Sequence, residues 1–137
     1  MNSQQNLADF AGRVLISAIF LASGLGKIAG YAGAQGYMEA MGVPGALLPL
    51  VILLEIGGAL AIIAGWQTRV AATLLAGFTV LSAVTFHADF ADQIQTIMFL
   101  KNLAIAGGFL FLVANGPGAY AFDTRAAGTR PAAVPAR

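Results

Sequence analysis

The chain contains no cysteine. That absence removes disulfide frameworks, thiolate metal sites and every thiol-based redox mechanism. It has a single histidine, His87, so neither a bis-histidine haem nor a histidine-rich metal centre can be built from this chain, and no metal is expected. Charge is scarce too: 9% of the residues are Asp, Glu, Lys or Arg, where an ordinary soluble domain has about 25%. Seven basic and six acidic side chains give a formal net charge of +1, which leaves no electrostatic footprint for nucleic acid.

What the chain has in excess is apolar surface. Of its 137 residues 58% are hydrophobic, and mean hydropathy is +0.80. Disorder requires the opposite composition. A domain this small keeps much of its surface in contact with solvent, and so few charges cannot cover it. The solvent is therefore lipid. The length allows one domain.

A helix that crosses a bilayer needs about 20 mostly apolar residues. Four stretches meet that length: 10–28, 47–64, 70–86 and 96–114. Turn-forming sequences separate them: Gly42-Val43-Pro44-Gly45, then Gly65-Trp66-Gln67-Thr68-Arg69, then the segment from His87 to Gln93. Asn115-Gly116-Pro117-Gly118 closes the last. The first stretch is long, carries Arg13 and Lys27 and has no clear cleavage site, so it reads as a retained helix and not a signal peptide. Residues 115–137, rich in Ala, Arg and Pro, are expected to form a disordered tail. The fold expected is all-α: an integral-membrane four-helix bundle. An even number of crossings puts both termini on one side with Arg69. The basic residues collected there place that side, tail included, in the cytoplasm. Residues 35–41 fit either a short interfacial helix or an irregular loop, with Tyr31 and Tyr37 suited to the headgroup level and Trp66 to the opposite interface. Small residues four apart in the first helix, Ala18, Ala22, Gly26 and Gly30, form a smooth stripe for close packing within the bundle or against a second copy.

Ionisable residues inside a membrane are costly, about 2.5–3.5 kcal/mol each near the bilayer centre on insertion scales. Here Glu55 lies mid-way along the second helix, Lys101-Asn102 in the outer part of the fourth, Lys27 near the outer end of the first, and His87 closes the third. At 1.5 Å per residue Glu55 sits roughly 12 Å below the outer edge, Lys101 roughly 8 Å and Lys27 within about 5 Å. These residues describe a polar funnel open to the outer face. Glu55 and Lys101 are expected to pair across it, and Lys27 can also snorkel to the headgroups. Arg13 reads as a cytoplasmic anchor.

With these residues in place, the chain resembles the DoxX family of small four-helix bacterial inner-membrane proteins. The resemblance rests on Gly12-Arg13-Val14, Gly24-Leu25-Gly26-Lys27, Gly42-Val43-Pro44, Glu55-Ile56-Gly57-Gly58, Gly65 with Thr68-Arg69, Phe86-His87, and Lys101-Asn102-Leu103 with Gly107-Gly108. It covers residues 9–114. It implies a multi-pass inner-membrane protein whose relatives are linked to quinone-coupled sulfur oxidation, as a subunit of thiosulfate:quinone oxidoreductase, or to membrane redox complexes of oxidative stress. On that footing a quinone is the cofactor to expect, and oxidoreductase subunits or a second copy the partners within the bilayer. Lys27, Lys101 and Asn102 would bind a small anion or a quinone headgroup, while Glu55 and His87 would form a proton relay. The competing reading is a non-enzymatic scaffold, assembly factor or small-molecule carrier with a structural Glu–Lys network.

Overall fold

Capping side chains extend the first and the last of the long helices beyond their apolar stretches. The computed structural model describes residues 2–128. The first helix, α1, spans Ser3–Ala29. It starts well before the hydrophobic run because Asn2 and Gln5 form a capping box, each side chain satisfying the other's backbone N–H. After Gly30 the chain continues directly into α2, Tyr31–Ala40, so the segment left open between helix and loop is helical. A single 3-10 turn at Gly45–Leu47 leads into α3, Leu48–Ala64. Then come α4, Thr68–Phe86, and α5, Gln93–Asn115. Asp92 caps α5 by accepting from Ile94 N–H at 2.9 Å. A short α6 covers Phe122–Gly128.

Four of these segments are long and apolar enough to cross a membrane: Ser3–Ala29, Gly45–Ala64, Thr68–Phe86 and Gln93–Asn115. Their packing matches that solvent. The interior is built largely from small residues, with Ala59, Ala71, Ala72, Ala76 and Ala106 around Phe20, Ile62, Leu75 and Phe109. Large side chains such as Leu15, Leu53, Leu81 and Phe111 point outward. Small residues inside and large ones outside is the distribution expected where lipid, not water, bathes the surface.

The bundle has two well-packed halves. α1 lies along α3, and α4 along α5, joined by a thinner seam between α3 and α4. Gly58 makes that seam possible, because a Cβ there would meet Leu75 at about 3.0 Å. The halves also meet through Phe20 and Phe109, whose ring centroids are 5.4 Å apart. The expected small-residue stripe takes no part in this packing. Ala18, Ala22, Gly26 and Gly30 all face outward, and the buried side of α1 is Arg13, Ser17, Phe20 and Gly24.

At the end of the bundle that carries the chain termini, two expectations need correcting. Arg13, read from the sequence as a cytoplasmic anchor, turns into the bundle instead: it is 1% exposed and clamps backbone carbonyls. Its Nη1 donates to Ile62 O at 3.0 Å and Ile63 O at 2.8 Å, and its Nη2 donates to Tyr120 O. A cation at the C-terminal carbonyls of α3 complements the helix dipole. Gly65 caps α3 in the left-handed conformation at φ 69°, and a Cβ there would lie 2.3 Å from Ala121 Cβ and 2.9 Å from Arg13 Nη1. Only glycine satisfies both conditions.

The tail is likewise structured as far as it is described. Asp123 docks α6 by accepting from Gln67 N–H and Thr68 N–H, each at 2.8 Å, so it caps the start of α4. Asp123 N–H returns a bond to Gly65 O at 2.9 Å. Burial alone raises the Asp123 carboxyl, but the bonds from Thr68 and Gln67 and the charge of Arg13 outweigh it and hold the group below its ordinary value. Composition could not reveal this docking, because the partners lie more than 50 residues away. The expectation for residues 129–137 lies outside the described residues.

Candidate functional site

Toward the other end the two halves enclose a cavity of about 470 Å³. Lys27, Glu55, His87, Lys101 and Asn102 all line it. Each is brought there by a different local device.

Glu55 is set by close approach of α1 and α3. A Cβ on Gly24 would lie 2.5 Å from Ile56 Cγ1 and 3.4 Å from Glu55 Cβ, so the missing side chain lets α3 press against α1 at this level. Lys27 sits three residues beyond Gly24, on the adjoining turn and the same side of α1. Its Nζ is 2.8 Å from Glu55 Oε1 and donates to Ser23 Oγ at 2.6 Å. Glu55 is 2% exposed, while the Lys27 side chain retains 29% exposure. The buried carboxylate therefore takes Lys27 as its partner, and not Lys101 as expected from the sequence. Among the described residues this is the one salt bridge.

The opposite wall comes from α4 and α5. Asn102 Nδ2 donates to Thr79 O at 3.3 Å. Thr79 is itself buried, and its hydroxyl donates back to Leu75 O at 2.6 Å. Lys101, beside Asn102, is exposed and lines the cavity without an ion pair among the described residues. His87 ends α4, and its Nδ1 lies 2.7 Å from Gln95 Oε1. An amide oxygen can only accept, so in this contact Nδ1 is the donor and Nε2 is left for other partners.

α2 closes the top of the cavity. Ala34, Tyr37 and Met38 line it, and the Tyr37 ring stacks on Phe86 with centroids 5.3 Å apart. Gln35 Nε2 donates to Gly45 O at 3.3 Å, which ties α2 to the turn ahead of α3. The remaining walls are mostly apolar, among them Ile19, Phe20, Val51, Phe78, Met98 and Ile105, with the hydroxyl residues Ser82 and Thr85 on α4. A shaped apolar cavity with a few convergent polar groups is the usual form of a small-molecule site, and its volume lies within the roughly 300–1,000 Å³ of such sites. No group of three or more His, Asp or Glu side chains among the described residues could hold a metal ion.

Several residues of this site escape sequence reasoning. Ser23 carries a findable signal, since it lies one turn before Lys27. Gln95 and Thr79 do not, because their roles depend on how α4 and α5 face one another. Arg13 belongs to the terminal end and takes no part in the cavity.

Two inner-membrane proteins are similar to the chain in sequence. The chain is 54% identical over 123 residues to "Inner membrane protein YqjF" of Escherichia coli (strain K12), covering 90% of this chain and 95% of that protein. It is 35% identical over 120 residues to "Inner membrane protein YphA" of the same organism, covering 82% and 86%. No solved structure matches significantly. With its spanning helices, the chain is a multi-pass inner-membrane protein. Residues 8–88 match the DoxX family, which takes in most of the bundle and Gly24, Lys27, Glu55 and His87 of the cavity: the chain belongs to the DoxX family.

Proposed function

We propose that this protein is a quinone-linked redox subunit or accessory factor that binds a small anion or a quinone headgroup in the cavity between its two halves. The observation that carries this reading is the convergence of Lys27, Glu55, His87, Lys101 and Asn102, from four helices or helix ends, on one largely apolar space. The donor set suits such a headgroup: Lys101 and Asn102 supply hydrogen bonds for oxygen atoms, and Phe20, Phe78 and Ile105 supply a surface for a ring. A bound quinone would supply the electron-accepting chemistry, with the electrons coming from a partner subunit.

The chain's own residues position and handle protons. Lys27 holds the Glu55 carboxylate in place, and Glu55 is the group that takes up a proton inside the cavity. His87, oriented by Gln95, presents Nε2 nearer the end closed by α2 and passes a proton onward.

The test is the rate of quinone reduction by purified membranes. Glu55→Gln and Lys101→Met should each lower it by about tenfold or more, the scale of a lost acid–base or oriented donor group. Unchanged rates in both variants, at matched levels of folded protein, refute the mechanism. A second reading has its own support, because the Lys27–Glu55 bridge ties α1 to α3 and could serve a scaffold or carrier. In that case the single variants lower the yield of folded protein or of a co-purifying partner, and Lys27→Gln with Glu55→Gln together restores it.

A further inference from the structure

The two walls of the cavity differ in charge. On the wall of α1 and α3, Lys27 and Glu55 stand 2.8 Å apart and cancel one another. On the wall of α4 and α5, Lys101 has no such counter-ion among the described residues. The acidic residues of the same end of the bundle are engaged elsewhere. Asp89 accepts from Ala91 N–H, Asp92 caps α5, and Glu39 stands against Gly45; none of the three lines the cavity. With Glu55 ionised, the lining keeps one uncompensated positive charge.

That imbalance constrains what fits. A neutral molecule leaves Lys101, exposed at the edge of these apolar walls, without a counter-charge and forgoes a charge-assisted hydrogen bond. A small inorganic anion pairs with Lys101 but leaves Ile19, Val51, Phe78, Met98 and Ile105 facing an unfilled space. We infer that the cavity takes a monoanionic amphiphile, its acidic headgroup on Lys101 and Asn102 and its hydrocarbon part along the apolar walls. This rests on the reading of the cavity as a ligand site and narrows it to one class of ligand.

The test uses the full-length chain in a non-ionic detergent. Its thermal unfolding is followed with dodecanoate, dodecan-1-ol and thiosulfate at matched free concentrations, since a ligand that binds the folded state raises its unfolding temperature. Dodecanoate should bind about tenfold more tightly than the alcohol, the scale of one charge-assisted hydrogen bond. Lys101→Gln should bring acid and alcohol together, Lys101→Arg should keep them apart, and Arg69→Gln at the opposite end should change nothing. Equal binding of acid and alcohol to the unaltered chain overturns the charge assignment and leaves the ligand site standing. Tighter binding of thiosulfate than of dodecanoate overturns the amphiphile. If none of the three binds and the quinone-reduction rates are also unmoved, the ligand site itself is refuted.

Discussion

Replacing Arg13 with Met keeps an unbranched apolar stem and removes the guanidinium, so it isolates what the clamp contributes. Three carbonyls lose a donor: Ile62 O, Ile63 O and Tyr120 O. Ile62 O keeps a second partner, because Gly65 N–H also reaches it at 3.1 Å. Two losses therefore count in full. Hydrogen bonds from a charged donor contribute about 1.5–3 kcal/mol each, and this end of the bundle lies near water that can rehydrate part of what is exposed, so the expected cost is about 3 kcal/mol. The measurement is reversible unfolding in mixed micelles with increasing SDS, followed by far-UV circular dichroism. Arg13→Lys should recover less than half of the loss, because an ammonium lacks the fork that reaches α3 and Tyr120 together. Gly65→Ala adds a decisive comparison. Its Cβ would strike Ala121 and Arg13 Nη1, so its cost should shrink when Arg13 is already Met. A loss below about 1 kcal/mol for Arg13→Met would mean that the buried guanidinium holds nothing together.

Two further outcomes follow from contacts elsewhere. Gly24→Ala should destabilise the bundle by about 1–3 kcal/mol through overpacking against Ile56, and Ile56→Ala should rescue part of it; full stability of Gly24→Ala would contradict the close approach of α1 and α3. Asp123 should make the docking of α6 sensitive to acid. Its carboxyl is held below the ordinary value in the folded chain, so its contribution is fully present above the unfolded value and fades as pH falls through the folded one. Emission from Trp66, next to Gln67, should report that transition, and Asp123→Asn should abolish it.

How much of this was legible in the sequence depends on which kind of information each feature needs. The spans were readable because a membrane sets a minimum apolar length: 47–64 and 70–86 nearly coincide with α3 and α4. The first two turns of α1 were not, since Ser3, Gln4 and Asn6 are polar and only the capping box marks them as helical. The end of the bundle at which the polar residues lie was readable too, because the rise per residue is fixed, and those residues do line one cavity. Azimuth was not. The partner of Glu55 and the outward turn of the Ala18–Ala22–Gly26 stripe depend on how each helix is rotated about its axis. That rotation is set by long-range contacts, such as Gly24 against Ile56 and Arg13 against the end of α3.

The division of the bundle into α1 with α3 and α4 with α5 gives any occupant of the cavity a mechanical role. An occupant that engages Lys101 on one side while resting against α1 and α3 on the other becomes a strut between two blocks otherwise joined by the thinner α3–α4 seam and the ring contacts Phe20–Phe109 and Tyr37–Phe86. Loading the protein and stiffening it are then the same event, and a vacant copy should be the more pliant one.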